Sequence, residues 1–178
     1  MTNKIKLWIL VFLVITSYSG LVYITVQQDM RIGANDPQIQ MAEDAGALLS
    51  NGQTPESVVP STKVDIAQSL ASFMIVYDSS GKPLASSAQL DNSTPEVPRG
   101  VFDNVRKNGE DRLTWQPKPS VRVAAVITNY SGKNPGFVLA GRSLREVENR
   151  ESLLTQQVGL AWLVTIVLTL IVILLFPL

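Results

Sequence analysis

Histidine and cysteine are both missing from this 178-residue chain. Their absence excludes the common zinc ligands, thiol nucleophiles and Ser-His-Asp triads, and leaves no disulfide to staple any part of the fold. Charge of one prevailing sign is missing too. Fifteen basic residues balance fifteen acidic ones without a basic cluster, so nucleic acid and other polyanions are not expected as partners. No metal and no cofactor is expected from such a set. Charge is also absent from two long apolar runs, which are the most informative feature of the chain.

The first run, Leu7 to Val26, is uncharged for 20 residues. At about 1.5 Å per residue it covers a hydrocarbon core of roughly 30 Å. The second, Val158 to Phe176, is uncharged for 19 residues and rich in Leu, Ile and Val. A small soluble domain can hardly surround such a helix on all sides, so both runs read as transmembrane helices, over 7–27 and 157–177, with the lipid bilayer as first partner. Trp8 and Trp162, each near the start of its run, suit the headgroup depth. A secretory signal peptide is the competing reading of the first run, with Lys4 and Lys6 as its basic segment and Ser17 or Ser19 near a cleavage site. The apolar run continues through Leu21-Val22-Tyr23-Ile24 beyond those serines, which favours an uncleaved span.

Lys4 and Lys6 place residues 1–6 in the cytoplasm and the middle segment, 28–156, outside an inner or plasma membrane crossed twice. Arg142, Arg145 and Arg150 argue the other way, but Glu146, Glu148 and Glu151 share their segment, and long loops translocate largely regardless of charge. The sequence stops at Pro177-Leu178, so no catalytic output domain is expected beyond the second span. Two pairs, Thr16/Gly20 and Thr165/Thr169, have the small-x-x-x-small spacing that lets membrane helices approach closely, either on each other or in a homodimer or membrane-protein partner.

Between the runs, Asn35-Asp36-Pro37 is a helix start with a capping carboxylate, and the helix is predicted to reach Ser50 before Asn51-Gly52 stops it. Thr54-Pro55-Glu56 repeats the capping pattern, and Val64 to Ala71 reads as a further helix. A strand over Phe73 to Tyr77 turns at Asp78-Ser79-Ser80-Gly81-Lys82 into a second over Pro83 to Ser87. A helix over Arg99 to Lys107 ends at Asn108-Gly109. Strands over Arg112 to Gln116, Val121 to Thr128 and Gly136 to Ala140 follow, and from Ser143 the pattern is helical. The predicted class is α+β, an antiparallel sheet of about five strands with flanking helices between two transmembrane helices.

This order resembles the single-Cache or extracytoplasmic PAS-like domains of bacterial two-span receptors such as sensor histidine kinases. The hairpin Phe73-Met74-Ile75-Val76-Tyr77-Asp78-Ser79-Ser80-Gly81-Lys82-Pro83-Leu84 looks like that family's opening hairpin. Gly136-Phe137-Val138-Leu139-Ala140-Gly141-Arg142-Ser143-Leu144 is similar to its last strand and exit helix. The resemblance implies a ligand pocket between the sheet and the helix or long loop before Arg112. Tyr77 would donate a hydrogen bond there, Trp115 would stack, and Arg122 would hold a carboxylate. Whether a small-molecule ligand exists stays open. Trp and Tyr on strands commonly form core, and Arg122 alternates with Val121 and Val123 as a solvent-facing residue does.

No catalytic set is visible. Ser79-Ser80-Gly81-Lys82 matches the S-x-x-K signature, but it lies in a hairpin turn rather than at a helix start and lacks the companion motifs. Glu110-Asp111 reads as a solvated turn. The expected function is therefore non-enzymatic: a signal-sensing or accessory subunit acting through a membrane partner. The alternative is a structural or envelope-interaction protein without a ligand.

Overall fold

The computed structural model describes residues 2–175, with Thr2 described in its backbone only. Phe176 and Pro177, assigned to the second span by the sequence, and the terminal Leu178 lie outside the described residues. The chain divides into two compact units: a helix pair made of the residues up to Ile32 and from Val147 onward, and a domain over Gly33–Glu146.

In the first unit, α1 (Thr2–Gly33) and α5 (Arg145–Leu175) are both long and apolar enough to cross a membrane. Each continues past its apolar run, so residues 28–32 and 147–156, grouped with the middle segment by sequence, belong to the helix pair. The less exposed positions recur every three or four residues, at Phe12, Ile15, Ser19 and Tyr23 on α1 and at Val158, Trp162, Ile166 and Thr169 on α5. That spacing makes one seam per helix. Cross-contacts descend in antiparallel order. Arg31 Nε donates to Glu151 Oε1 at 2.6 Å, Thr155 Oγ1 to Tyr23 OH at 3.3 Å, and Trp162 Nε1 to Thr16 Oγ1 at 3.0 Å.

The second unit follows the order α2 (Asp36–Ser50), α3 (Pro55–Val58), β1 (Val64–Asp65), β2 (Phe73–Asp78), β3 (Pro83–Ser86), β4 (Ala88–Gln89), α4 (Arg99–Asn108), β5 (Glu110–Lys118), β6 (Val121–Tyr130) and β7 (Gly136–Ser143). Its main sheet is antiparallel with strand order β3-β2-β7-β6-β5, and β1 pairs β4 in a short parallel ladder. Alternation along the strands splits the core in two. One face carries Phe73, Ile75, Trp115, Val123 and Leu139 under Phe102 and Val105 of α4. The other carries Met74, Val76, Val126 and Val138 under Ala42, Ala45 and Leu49 of α2.

Three local readings are corrected. The segment Val64 to Ala71 is not a helix. Val64 N–H donates to Ser87 O at 2.7 Å and Ile66 N–H to Gln89 O at 3.0 Å, and Asp65 Oδ1 accepts from Ala67 N at 2.9 Å, so tertiary pairing and a side-chain turn take the backbone groups a helix needs. Glu110 and Asp111 open β5 opposite Thr128 and Ile127 rather than forming a turn. The expected starts of α2 and α3 hold, but the expected capping carboxylate, Asp36, is the first helical residue; Asn35 takes the cap position instead, and neither it nor Thr54 makes a side-chain cap. Asn35 has helical dihedrals (φ −92°, ψ −21°), outside the extended conformation that usually lets a capping side chain reach forward.

Candidate functional site

Tyr77 lies near the end of β2 on the α4 side of the sheet, where alternation puts it beside Ile75. Its ring meets Phe102 of α4 edge-on with centroids 5.0 Å apart, and Phe102 meets Phe137 at 5.1 Å. The β2–β3 turn closes over the same ring. At Gly81 (φ +84°) an added Cβ would lie 3.1 Å from Phe102, so the missing side chain permits both the left-handed backbone and the close approach. Arg106 fastens α4 to this turn by donating to Ser79 O at 2.8 Å, while its guanidinium carbon sits 5.2 Å from the Phe137 ring centre.

Beside this junction is a cleft of about 380 Å³ between the turn and the segment leading into α4. Tyr77 and Phe102 line it, together with Lys82, Thr94, Glu96 and Arg99. Tyr77 is 2% exposed, and its hydroxyl has no hydrogen-bond partner among the described residues. Burial raises its phenol pKa above the ordinary tyrosine value. Next to it, the Asp78 carboxyl is held below the ordinary range by the Ser80 hydroxyl at 2.6 Å and by the Lys82 and Ser80 backbone N–H groups at 2.9 and 2.8 Å. Helix α4 begins at the cleft with Arg99, and its N-cap residue, Pro98, provides no side-chain cap.

A larger cleft of about 630 Å³ runs between the end of α2, α3 and the β6–β7 loop, lined by Gln53, Glu56, Asp78, Tyr130 and Lys133 among others. Its one buried hydroxyl among these, on Tyr130, donates to Tyr77 O at 3.3 Å, so it holds no orphaned group of that kind. Among the described residues no cluster of three or more acidic side chains is placed to hold a metal ion.

The three ligand-site residues predicted from sequence do not converge. Tyr77 lines the smaller cleft, Trp115 is 5% exposed within the core on the same face, and Arg122 is exposed on the opposite, α2-facing side. Trp115 pairs with Val123, and that register turns Arg122 to the other face. Sequence reasoning missed Arg99 and Lys82 as cleft residues. Pro98 directly before the helix was the available sign that an uncapped N-terminus starts there.

In the helix pair, Thr16 and Gly20 do lie at the seam, in a crevice of about 310 Å³ with Ser19, Tyr23, Gly159 and Trp162. Of the second pair, Thr165 does not lie on the α5 seam and Thr169 does. Their hydroxyls donate to Ala161 O at 2.7 Å and Ile166 O at 2.9 Å on their own helix, and Thr165 is exposed. No protein-family model matches the chain, and no curated protein matches it.

Proposed function

We propose that this is a non-enzymatic two-span membrane protein whose extracytoplasmic, PAS-like or single-Cache domain senses a ligand or protein and acts through a membrane partner. In this reading α1 and α5 cross an inner or plasma membrane, with the N-terminus in the cytoplasm. The element order supports the fold assignment: a hairpin, a helix, then three strands passing into an exit helix.

The observation that carries the functional reading is the path from cleft to helix. Tyr77 on β2 pairs with Phe137 on β7, and a single residue separates the end of β7 at Ser143 from the start of α5 at Arg145. A change in the cleft would therefore reach the start of α5 through one ladder and the single residue Leu144. Catalysis has less support: the Ser80 hydroxyl at the cleft donates to Asp78 Oδ1, but that carboxylate is committed to backbone N–H groups of the hairpin turn and its lowered pKa makes it a poor base.

The chain has no native cysteine, which makes single-cysteine chemistry clean. A thiol at Ser61 should react with an impermeant maleimide from outside intact cells; reaction only after lysis would overturn the orientation. With Ser19→Cys and Gly159→Cys combined, the rate of disulfide formation across the seam should change when a ligand or partner engages the outer domain. A rate indifferent to every ligand and co-purifying protein would favour the structural, unliganded alternative.

A further inference from the structure

A cation at the first position of a helix meets the positive end of the peptide dipole, yet Arg145 opens α5. Its guanidinium is engaged with a segment far back in the chain: Nη2 donates to Gln68 O at 2.7 Å, and Nη1 reaches Ala67 O at 3.5 Å. Arg142, near the end of β7, donates through Nε to Leu70 O at 3.2 Å. All of these bonds lie within the domain over Gly33–Glu146. We infer that the two arginines form a clasp that ties the exposed turn at residues 67–71 to the exit of the sheet into α5, with Arg145 as its positioning residue, so that this turn and the first turn of the helix open together. The inference goes beyond the sensor reading and does not depend on it.

The turn is a single helical turn that stops. Gln68 and Ser69 N–H both donate to Asp65 O, at 3.1 and 2.8 Å, and Ala67 N–H donates to Asp65 Oδ1 at 2.9 Å. Ala71 N–H, which would bond Ala67 O in a continued helix, is taken by Ser69 Oγ at 3.1 Å. These N–H groups are served locally, whereas the carbonyls of Ala67, Gln68 and Leu70 receive guanidinium N–H groups, from a side chain that donates and never accepts. Burial does not fix the turn either. Ile66 and Phe73, on its two sides, are 2% and 0% exposed in the core under α4, but Ala67, Gln68, Leu70 and Ala71 are exposed. The stretch hangs between two fixed points, and the arginines set its position.

The backbone leaving β7 is held to β6 as far as Leu144, whose N–H donates to Arg122 O at 2.9 Å. The Arg145 side chain extends that hold by one residue, into the helix. A displacement of the exposed turn is then passed directly to α5, which makes the turn a second point of control over that helix.

The test is hydrogen exchange, followed by mass spectrometry on the full chain in phosphatidylcholine nanodiscs, with fragments that resolve residues 67–71 and 146–151. Local helix energetics and the clasp predict opposite signs for Arg145→Ala. Alanine is the better helix former and removes a cation from the helix N-terminus, so without a clasp the amides of Asn149 and Arg150, which bond the carbonyls of Arg145 and Glu146, should exchange more slowly. With the clasp they should exchange about tenfold faster, together with Gln68 and Ser69. Arg145→Lys keeps the charge but not the fork that spans two carbonyls, and should accelerate both segments by about threefold.

Asp65→Ala loosens the turn from its far side and leaves α5 unaltered; Asn149 and Arg150 should still exchange about threefold faster. Ser69→Ala, which removes the acceptor of Ala71 N–H, serves the same purpose if Asp65→Ala does not fold, as judged by Trp115 fluorescence in denaturant. Arg112→Ala, at an exposed cation on β5, should change neither segment. Slower or unchanged exchange at Asn149 and Arg150 in Arg145→Ala overturns the inference, as does acceleration of α5 without the turn. A loosened turn in Asp65→Ala or Ser69→Ala beside an unchanged α5 overturns it too. A seam indifferent to every ligand and partner would remove the sensor reading and leave the clasp standing.

Discussion

Trp162 donates its indole N–H to the Thr16 hydroxyl at 3.0 Å, joining α5 to the middle of the apolar run of α1. The sequence suggested a headgroup anchor for this tryptophan; in the structure its polar atom serves the helix pair. Interhelical hydrogen bonds in membranes contribute about 0.6 kcal/mol on average and up to about 1.7 kcal/mol. Trp162→Phe should weaken pairing by about 1 kcal/mol, while Thr16→Ser should retain it. Disulfide exchange between cysteines placed at Ser19 and Gly159 measures the difference, and identical equilibria in wild type and Trp162→Phe would show that the bond contributes nothing.

Gly136 begins β7 where no side chain fits. An added Cβ would sit 2.1 Å from Tyr77 O and 2.7 Å from the Tyr130 hydroxyl. Because the first obstacle is backbone in the β2–β7 ladder, neither strand can yield cheaply. Gly136→Ala should cost about 3 kcal/mol, at the upper end of ordinary overpacking. Denaturant unfolding followed through Trp115 tests this, and a cost below about 1 kcal/mol would mean that the ladder is looser at this end than the structure places it.

Tyr77→Phe removes a buried hydroxyl that has no partner among the described residues and keeps the ring packed on Phe102. Without ligand, the variant should be more stable than wild type by about 1 kcal/mol. Alkaline pH should widen the gap. Burial raises the folded-state pKa of Tyr77 above the ordinary tyrosine value of 10.0, so its contribution is fully present below about pH 10 and is lost as pH rises toward the folded value. Thermal melts at pH 8 and above pH 10 should show wild type falling faster than Tyr77→Phe. Parallel curves would place the hydroxyl in contact with water.

Asp78 gives the opposite sign. Its carboxylate accepts from the Ser80 hydroxyl and from the Lys82 and Ser80 backbone N–H groups, and its pKa lies below the ordinary 3.8. The resulting stabilisation is present above the ordinary carboxylate value and disappears as pH falls through the folded one. Asp78→Asn should therefore lower the melting temperature at neutral pH, with the difference from wild type shrinking below about pH 4. A pH-independent difference would mean that the side chain acts through shape alone.

Legibility followed the length scale of each interaction. The strand over Phe73 to Tyr77 was readable because an apolar run closed by Asp-Ser-Ser-Gly states its own end, and the helix at Arg99 because Val101, Phe102 and Val105 share one face. Val64 to Ala71 misled because its β1–β4 pairing reaches across more than twenty residues and leaves no local mark. Tyr77, Trp115 and Arg122 were each plausible singly. Grouping them required strand register, which decides the face of every residue at once.

By itself, the sequence determined the two apolar helices, the α+β class, and the lack of any histidine or cysteine chemistry. These follow from composition and short-range periodicity, which act within a few turns or strand residues. Only the tertiary structure decided that Arg99 and Lys82, rather than Arg122, share a cleft with Tyr77, and that Trp162 meets Thr16. Both depend on long-range pairing: Gly81 closing over Phe102, the β5–β6 register turning Arg122 away, and two distant helices aligned antiparallel. Side-chain chemistry is written residue by residue, but which side chains share one small volume is set by how the backbone packs.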